Sequence, residues 1–255
     1  MSAARRAAFF PILPVPFLRL VSRLEALAAT AVLAAVAAPL AVQDPWAAVR
    51  ERMVERQVAA RDVRDSATLA ALRSVPRHEF VPDRYRNAAY DDRPLPIGLG
   101  QTISQPYIVG YMTERLRLEP SDRVLEVGTG SGYQAAVLAE IVDSVYTIEI
   151  FGELARAAET RLGRLGYGNV RVRHADGFYG WPQAAPFDAV IVTAAAGHIP
   201  PSLVEQLRPG GRMMIPVGSV HGVQTLILVQ KAEDGTVATE SLLPVRFVPL
   251  LRGER

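Results

Sequence analysis

The stretch Val124-Leu-Glu-Val-Gly-Thr-Gly-Ser-Gly-Tyr133 decides the fold. Strand-like residues run directly into three glycines at alternate positions, Gly128, Gly130 and Gly132, and a helical segment follows over about 132–141. A strand turning sharply into a helix opens a β–α unit, and glycine lets the backbone make that turn close to a ligand. The first amides of the helix lack internal partners, so the turn can hold polar ligand atoms. The spacing narrows the ligand. A dinucleotide site uses Gly-x-Gly-x-x-Gly with the pyrophosphate on the helix end, and a Walker loop uses Gly-Lys-Ser/Thr. Here the pattern is Gly-x-Gly-x-Gly without lysine, which suits a nucleoside ligand lacking a pyrophosphate.

Outward from this turn, strand and helix alternate. Strand-like runs cover 124–127, 145–150, 170–172 and 187–193, with a second helical segment over 152–165. Such alternation predicts an α/β, doubly wound, mostly parallel sheet. Later runs at 211–215, 224–229 and 242–248 follow, and Glu233-Asp-Gly-Thr236 signals a hairpin, so the C-terminal strands are expected to be antiparallel. Glu149 ends the second strand, 21 residues after Gly128, where a carboxylate can accept both hydroxyls of a ribose. A third strand-end acid is Asp176, beside Gly177.

Before the sheet comes an N-terminal helical extension. Asp44-Pro45 opens a helix bearing Trp46, Val49, Met53, Gln57 and Val58 at helical spacing. Ser66 is expected to cap a second helix ending before Pro76, and residues 76–101 read as a long ordered loop. The first 43 residues stand apart. Arg5, Arg6, Arg19 and Arg23 precede the uncharged run 26–42, in which Ala35-Val36-Ala37 offers a small-x-small cleavage site. Residues 1–43 are therefore a leader, a signal peptide or an anchor, and 44–255 a single catalytic domain.

Composition excludes several classes. With 255 residues, 49% hydrophobic and 21% charged, the chain is neither disordered nor fibrous, and without cysteine it has no thiolate nucleophile or disulfide. Its single lysine, Lys231, lies in a strand-like run, poorly placed for a Schiff base. The positive charge belongs to the leader, so nothing marks a nucleic-acid surface. His78, His174, His198 and His221 share no ligand spacing, and no metal is expected. Tyr107, Tyr111 and Tyr133 could wall a pocket or fill the core.

Glu126 to Tyr133, with Glu149, resembles the cofactor site of class I S-adenosylmethionine-dependent methyltransferases, which have a Rossmann-like fold. Val75-Pro-Arg-His-Glu-Phe-Val-Pro82, Gly100-Gln-Thr-Ile-Ser-Gln-Pro106, Phe187–Thr193, Leu207–Arg212 and Val245-Arg-Phe-Val-Pro-Leu250 narrow the resemblance to the protein-L-isoaspartate O-methyltransferases, over roughly residues 46–252. Two departures are Ala175, where that family usually has glycine, and the leader itself. The resemblance implies methyl transfer from S-adenosylmethionine to the free α-carboxylate of L-isoaspartyl residues, the start of protein repair. It implies that Gly128, Thr129, Gly130, Gly132 and Glu126 hold the methionine part of the cofactor. By the same resemblance Glu149 takes the ribose, Asp176 and Gly177 border the adenine, Thr102 and Ile103 lie over the methyl group, and Ser104 orients the acceptor. Read alone, Ser104 is better explained as a helix N-cap, since Gln105-Pro106 and an apolar run follow it.

Two other readings stay open on the residues: a nicotinamide-dependent oxidoreductase and a non-catalytic exported binding module. Expected partners are isoaspartyl peptides and proteins, with no nucleic acid, and membrane contact only through an uncleaved leader. The expected state is a monomer in the cytoplasm, with the periplasm as the alternative that the leader suggests.

Overall fold

The computed structural model describes residues 44–219 and 222–253, so residues 1–43, read above as a leader, lie outside the described residues. Two helices begin the described chain, α1 (Ala47–Met53) and α2 (Ser66–Ser74). A π-helical stretch, Val54–Ala59, continues α1 and buries Val54 and Val58 beside Met53. Asp65 rather than Ser66 caps α2, accepting from the Thr68 N–H at 2.7 Å. Both residue types cap well. Asp65 is the last residue with extended backbone, which leaves Ser66 inside the helix.

The segment read as loop, 76–101, contains two short 3-10 turns, Arg77–Phe80 and Asp83–Ala88, and much of a hairpin. Its strands are β1 (Leu95–Gly98) and β2 (Gln101–Ile103), paired antiparallel. The strands are very short and Pro96 interrupts β1, so no alternation announces them. The tip Gly98-Leu99-Gly100 is left-handed throughout, with φ of 105°, 52° and 72°. From β2 the chain enters α3 (Pro106–Leu116), whose N-cap is Gln105.

The α/β alternation follows as expected: β3 (Arg123–Val127), α4 (Tyr133–Ala139), β4 (Ser144–Glu149), α5 (Gly152–Arg164), β5 (Val170–His174) and β6 (Phe187–Val192). Then come α6 (Pro201–Gln206), β7 (Leu207–Val217), β8 (Gln224–Lys231) and β9 (Val237–Val245). The seven strands β3 to β9 lie in the order β5-β4-β3-β6-β7-β8-β9. Pairs among β3 to β7 are parallel, and β8 and β9 join antiparallel. The last strand spans Val237–Val245 instead of 242–248, because the turn closed by Ala232 N–H to Thr236 O starts the return immediately.

Both faces of the sheet are covered. Leu125, Val127, Val190, Val192, Met213 and Ile215 pack into one cluster, while their neighbours Val124, Ala189, Ile191 and Met214 join the N-terminal helices in another. This is the period-two alternation of strands buried on two sides. The chain leaves β3 for β4 on one side and returns to β6 on the other. Ligands bind at such a switch point, outside the carboxyl ends of the strands. The glycine turn is there. No helix among the described residues is long and apolar enough to cross a membrane.

Candidate active site

Strand pairing puts Glu126 of β3 opposite Thr147 of β4. Glu126 is fully buried, and the Thr147 hydroxyl donates to its Oε2. The Thr129 hydroxyl lies 2.6 Å from that of Thr147, extending the chain towards the glycine turn. Oε1 of Glu126 has no hydrogen-bond partner among the described residues. Burial pushes this carboxyl up to about 8, Glu149 adding to the rise and Thr147 opposing it. Glu149, at the end of β4, is nearly as buried. Its Oε2 accepts from the Gly130 N–H at 2.7 Å and its Oε1 from the Phe151 N–H at 3.0 Å.

Thr193 follows β6 and ties the turn from the other side. Its hydroxyl lies within bonding distance of the carbonyls of Gly128 (2.7 Å) and Val127 (3.1 Å). Gly128 has φ of 102°, and a Cβ there would stand 2.5 Å from Thr193 Oγ1. No other residue fits that contact.

A narrow cleft of about 70 Å³ opens above the turn. Thr102, Ile103, Ser104, Glu126, Gly128, Thr129, Gly130, Glu149 and Gly177 all line it, as does Tyr133. Gly132 and Asp176 do not. Gly132 is left-handed, with φ of 89°, and a Cβ on it would meet Leu162 Cδ1 at 3.1 Å, so it serves the packing of α4 on α5. The Asp176 carboxylate takes the Phe178 N–H at 2.9 Å and binds Arg252 and the Gly253 N–H, each at 3.1 Å. Arg252 also lies 3.7 Å over the Phe178 ring. This clip holds the C-terminal segment, whose residues Val248 to Leu251 wall the cleft.

A second cavity of about 380 Å³ adjoins the first and shares Thr102, Ser104, Thr193 and Val248 with it. Arg246 is the charged side chain in its lining. Ser104 stands between the two. Gln105, not Ser104, is the N-cap of α3, and the Ser104 hydroxyl has no hydrogen-bond partner among the described residues. The capping role is therefore absent, and the hydroxyl is available to a ligand.

Other candidates resolve into structure. Lys231 Nζ donates to the carbonyls of Val204 (3.0 Å) and Leu207 (2.7 Å). Tyr107 donates to Asp62 at 2.7 Å, away from the cleft. His78 shares a 2.7 Å hydrogen bond with the Tyr90 hydroxyl, and His174 one of 3.0 Å with the Ile150 carbonyl. His221 lies outside the described residues. Among the described residues no three His, Asp or Glu gather to hold a metal. The sequence reading missed Thr193, Thr147 and Arg246. Position at the carboxyl ends of central strands could have flagged the first two; Arg246 gave no local signal.

The model of the protein-L-isoaspartate(D-aspartate) O-methyltransferase family matches residues 48–255. A protein of Opitutus terrae called protein-L-isoaspartate O-methyltransferase is 60% identical over 203 residues, 80% of this chain and 87% of its own length. One of Syntrophobacter fumaroxidans, called protein-L-isoaspartate O-methyltransferase 2, is 56% identical over 222 residues, 84% of this chain and 90% of its own. A Plasmodium falciparum protein solved in complex with S-adenosyl-L-homocysteine shares the fold, with a TM-score of 0.70 at 24% identity over 80% of this chain and 99% of its own.

Proposed function

The chain belongs to the protein-L-isoaspartate(D-aspartate) O-methyltransferase family, and we propose that its two cavities divide the reaction, with Ser104 at their junction. The protein transfers the methyl group of S-adenosylmethionine to the free α-carboxylate of L-isoaspartyl residues in damaged proteins, which initiates their repair. In this reading the glycine-lined cleft takes the donor and the second cavity takes the acceptor.

The cleft residues suit that donor. Glu126 Oε1 is a buried acceptor with no partner of its own, and a cation in the cleft would supply one. Each Glu149 oxygen spends one lone pair on a backbone amide, leaving others for ribose hydroxyls. The cleft is narrow, about 70 Å³. Val248 and Leu250 are fixed to Ala195 by backbone bonds of 2.8 Å. Beyond them the wall is held by Arg252 on Asp176, an ion pair whose arginine is exposed and therefore weakly held.

S-adenosylmethionine supplies an electrophilic methyl group on a positively charged sulfur. A carboxylate acceptor, with a pKa near 4, is already ionised at neutral pH, so no protein base has to activate it. What remains for the protein is alignment and exclusion of water. The Ser104 hydroxyl donates to one acceptor oxygen, leaving the other to attack, and Arg246 draws the anion into the second cavity. Thr102 and Ile103 close the cavities over the reacting atoms, and Gly177 borders the adenine with Asp176 behind it. One chain walls both cavities, so a monomer suffices. The cytoplasm is the compartment of this reading, because S-adenosylmethionine is made inside cells and its charges oppose crossing a bilayer.

The observation that carries the proposal is the unpartnered Ser104 hydroxyl shared by both cavities. Ser104→Ala tests it. Turnover on an isoaspartyl peptide is expected to fall by about tenfold to a hundredfold, the loss of one hydrogen bond to a charged group. Cofactor affinity and melting temperature stay unchanged. Undiminished turnover would remove the serine from the reaction.

A further inference from the structure

We propose that Arg77 is a positioning residue for the transfer, fixing Ser104 through that residue's backbone carbonyl. The inference rests on the role given to Ser104 above. Arg77 is fully buried, yet no carboxylate pairs with it among the described residues. Two of its three guanidinium nitrogens are spent on main chain, and Nη1 has no hydrogen-bond partner among the described residues. Nε donates to the Ala89 carbonyl at 2.7 Å and Nη2 to the Ser104 carbonyl at 2.7 Å. Its carbon centre lies 4.7 Å from the Tyr133 ring centroid, close enough for the ring face to attract the buried charge.

These contacts come from three separate segments. Ala89 ends the turn that leads to the hairpin, Ser104 follows its second strand, and Tyr133 begins the helix after the glycine turn. Tyr133 is itself part of the cleft wall. One rigid, planar cation thus sets the hairpin bearing Thr102 to Ser104 against the cofactor turn. Guanidinium geometry is required, because two carbonyls in different directions and an aromatic face are engaged together. A lysine ammonium is a single point charge with a different reach.

The test is a double-mutant cycle of Arg77→Lys and Ser104→Ala, read as kcat on an isoaspartyl peptide and as S-adenosylmethionine Kd by calorimetry. Arg77→Lys is expected to lower kcat by about tenfold to a hundredfold, the loss that displacing a catalytic contact by about an ångström brings. Cofactor Kd is expected to hold. In the Ser104→Ala background the same lysine substitution should change kcat by no more than about twofold, the ordinary scatter of independent effects. A full additional loss in that background overturns the assignment, since Arg77 would then act elsewhere. Normal kcat in Ser104→Ala alone overturns the serine reading and this inference with it. If Arg77→Lys does not melt cooperatively, an ester in place of the Ser104–Gln105 amide weakens the accepting carbonyl, and the Gln105 N–H it also removes makes no hydrogen bond among the described residues. An ester variant with lowered kcat and unchanged melting temperature supports the inference; unchanged kcat overturns it.

Discussion

Glu126→Gln separates the electrostatic part of the site from its shape. The wild-type carboxyl is fully buried, and its pKa stands at about 8 against an ordinary 4.5. Below the ordinary value both folded and unfolded chains hold the proton, and pH has no effect through this group. Between there and about 8 the folded chain keeps a proton that the unfolded chain has released, so stability falls as pH rises. Each pH unit in that window is worth about 1.4 kcal/mol, or roughly 3 kcal/mol by pH 7 as an upper bound. The glutamine variant lacks this decline. It can still accept from Thr147, and its amide nitrogen replaces an acid proton that was equally short of a partner. Urea unfolding is therefore expected to give matched stabilities near pH 5 and a growing advantage for the variant towards pH 8. Cofactor binding runs the opposite way, because only the ionised acid can pair with the donor's charge. Wild-type affinity should climb over the same window relative to the variant, and at pH 8 the variant should bind about tenfold to a hundredfold more weakly. The cofactor's own amine titrates identically in both experiments and cancels. Parallel pH profiles for the two proteins, in stability and in affinity, would refute the reasoning.

Glu149→Ala removes an acceptor held by two backbone amides as well as the proposed ribose contact. Calorimetry should show S-adenosylmethionine bound more weakly by about one to three kcal/mol, and the melting temperature should drop. Gly130→Val forces a branched side chain onto a φ of 53° with Ile97 Cδ1 only 3.1 Å from its Cβ. Unfolding should show a loss of about 1–2 kcal/mol while the chain still folds, and calorimetry should detect no cofactor binding.

The sheet was legible because its strands are buried on both faces and read as continuous apolar runs between helices. Val124–Val127 and Phe187–Thr193 appear in the fold within a residue of where the sequence puts them. The glycine turn and Glu149 were legible for a related reason: chain order fixes strand ends, and strand ends fix the site. The hairpin of Leu95–Ile103 was hidden by its brevity and by Leu99, an ordinary residue in a left-handed conformation. Contacts between distant segments were also hidden. Arg77 reaches Ser104 across 27 positions and Arg252 reaches Asp176 across 76, and no local pattern encodes either. Gly132 has the spacing of a ligand contact but is required by Leu162 behind it. Ser104 carried two readings, and Gln105 at the N-cap of α3 removes the capping one.

The most direct test uses two peptides identical except that one residue is L-isoaspartyl in the first and L-aspartyl in the second. Both offer a carboxylate of similar acidity, so any preference reports the geometry of the acceptor cavity and not intrinsic reactivity. With radiolabelled S-adenosylmethionine, base-labile methyl ester is expected on the isoaspartyl peptide alone. Equal labelling of the two peptides, or none while the cofactor is bound, would contradict the assignment of the chemistry to these two joined cavities.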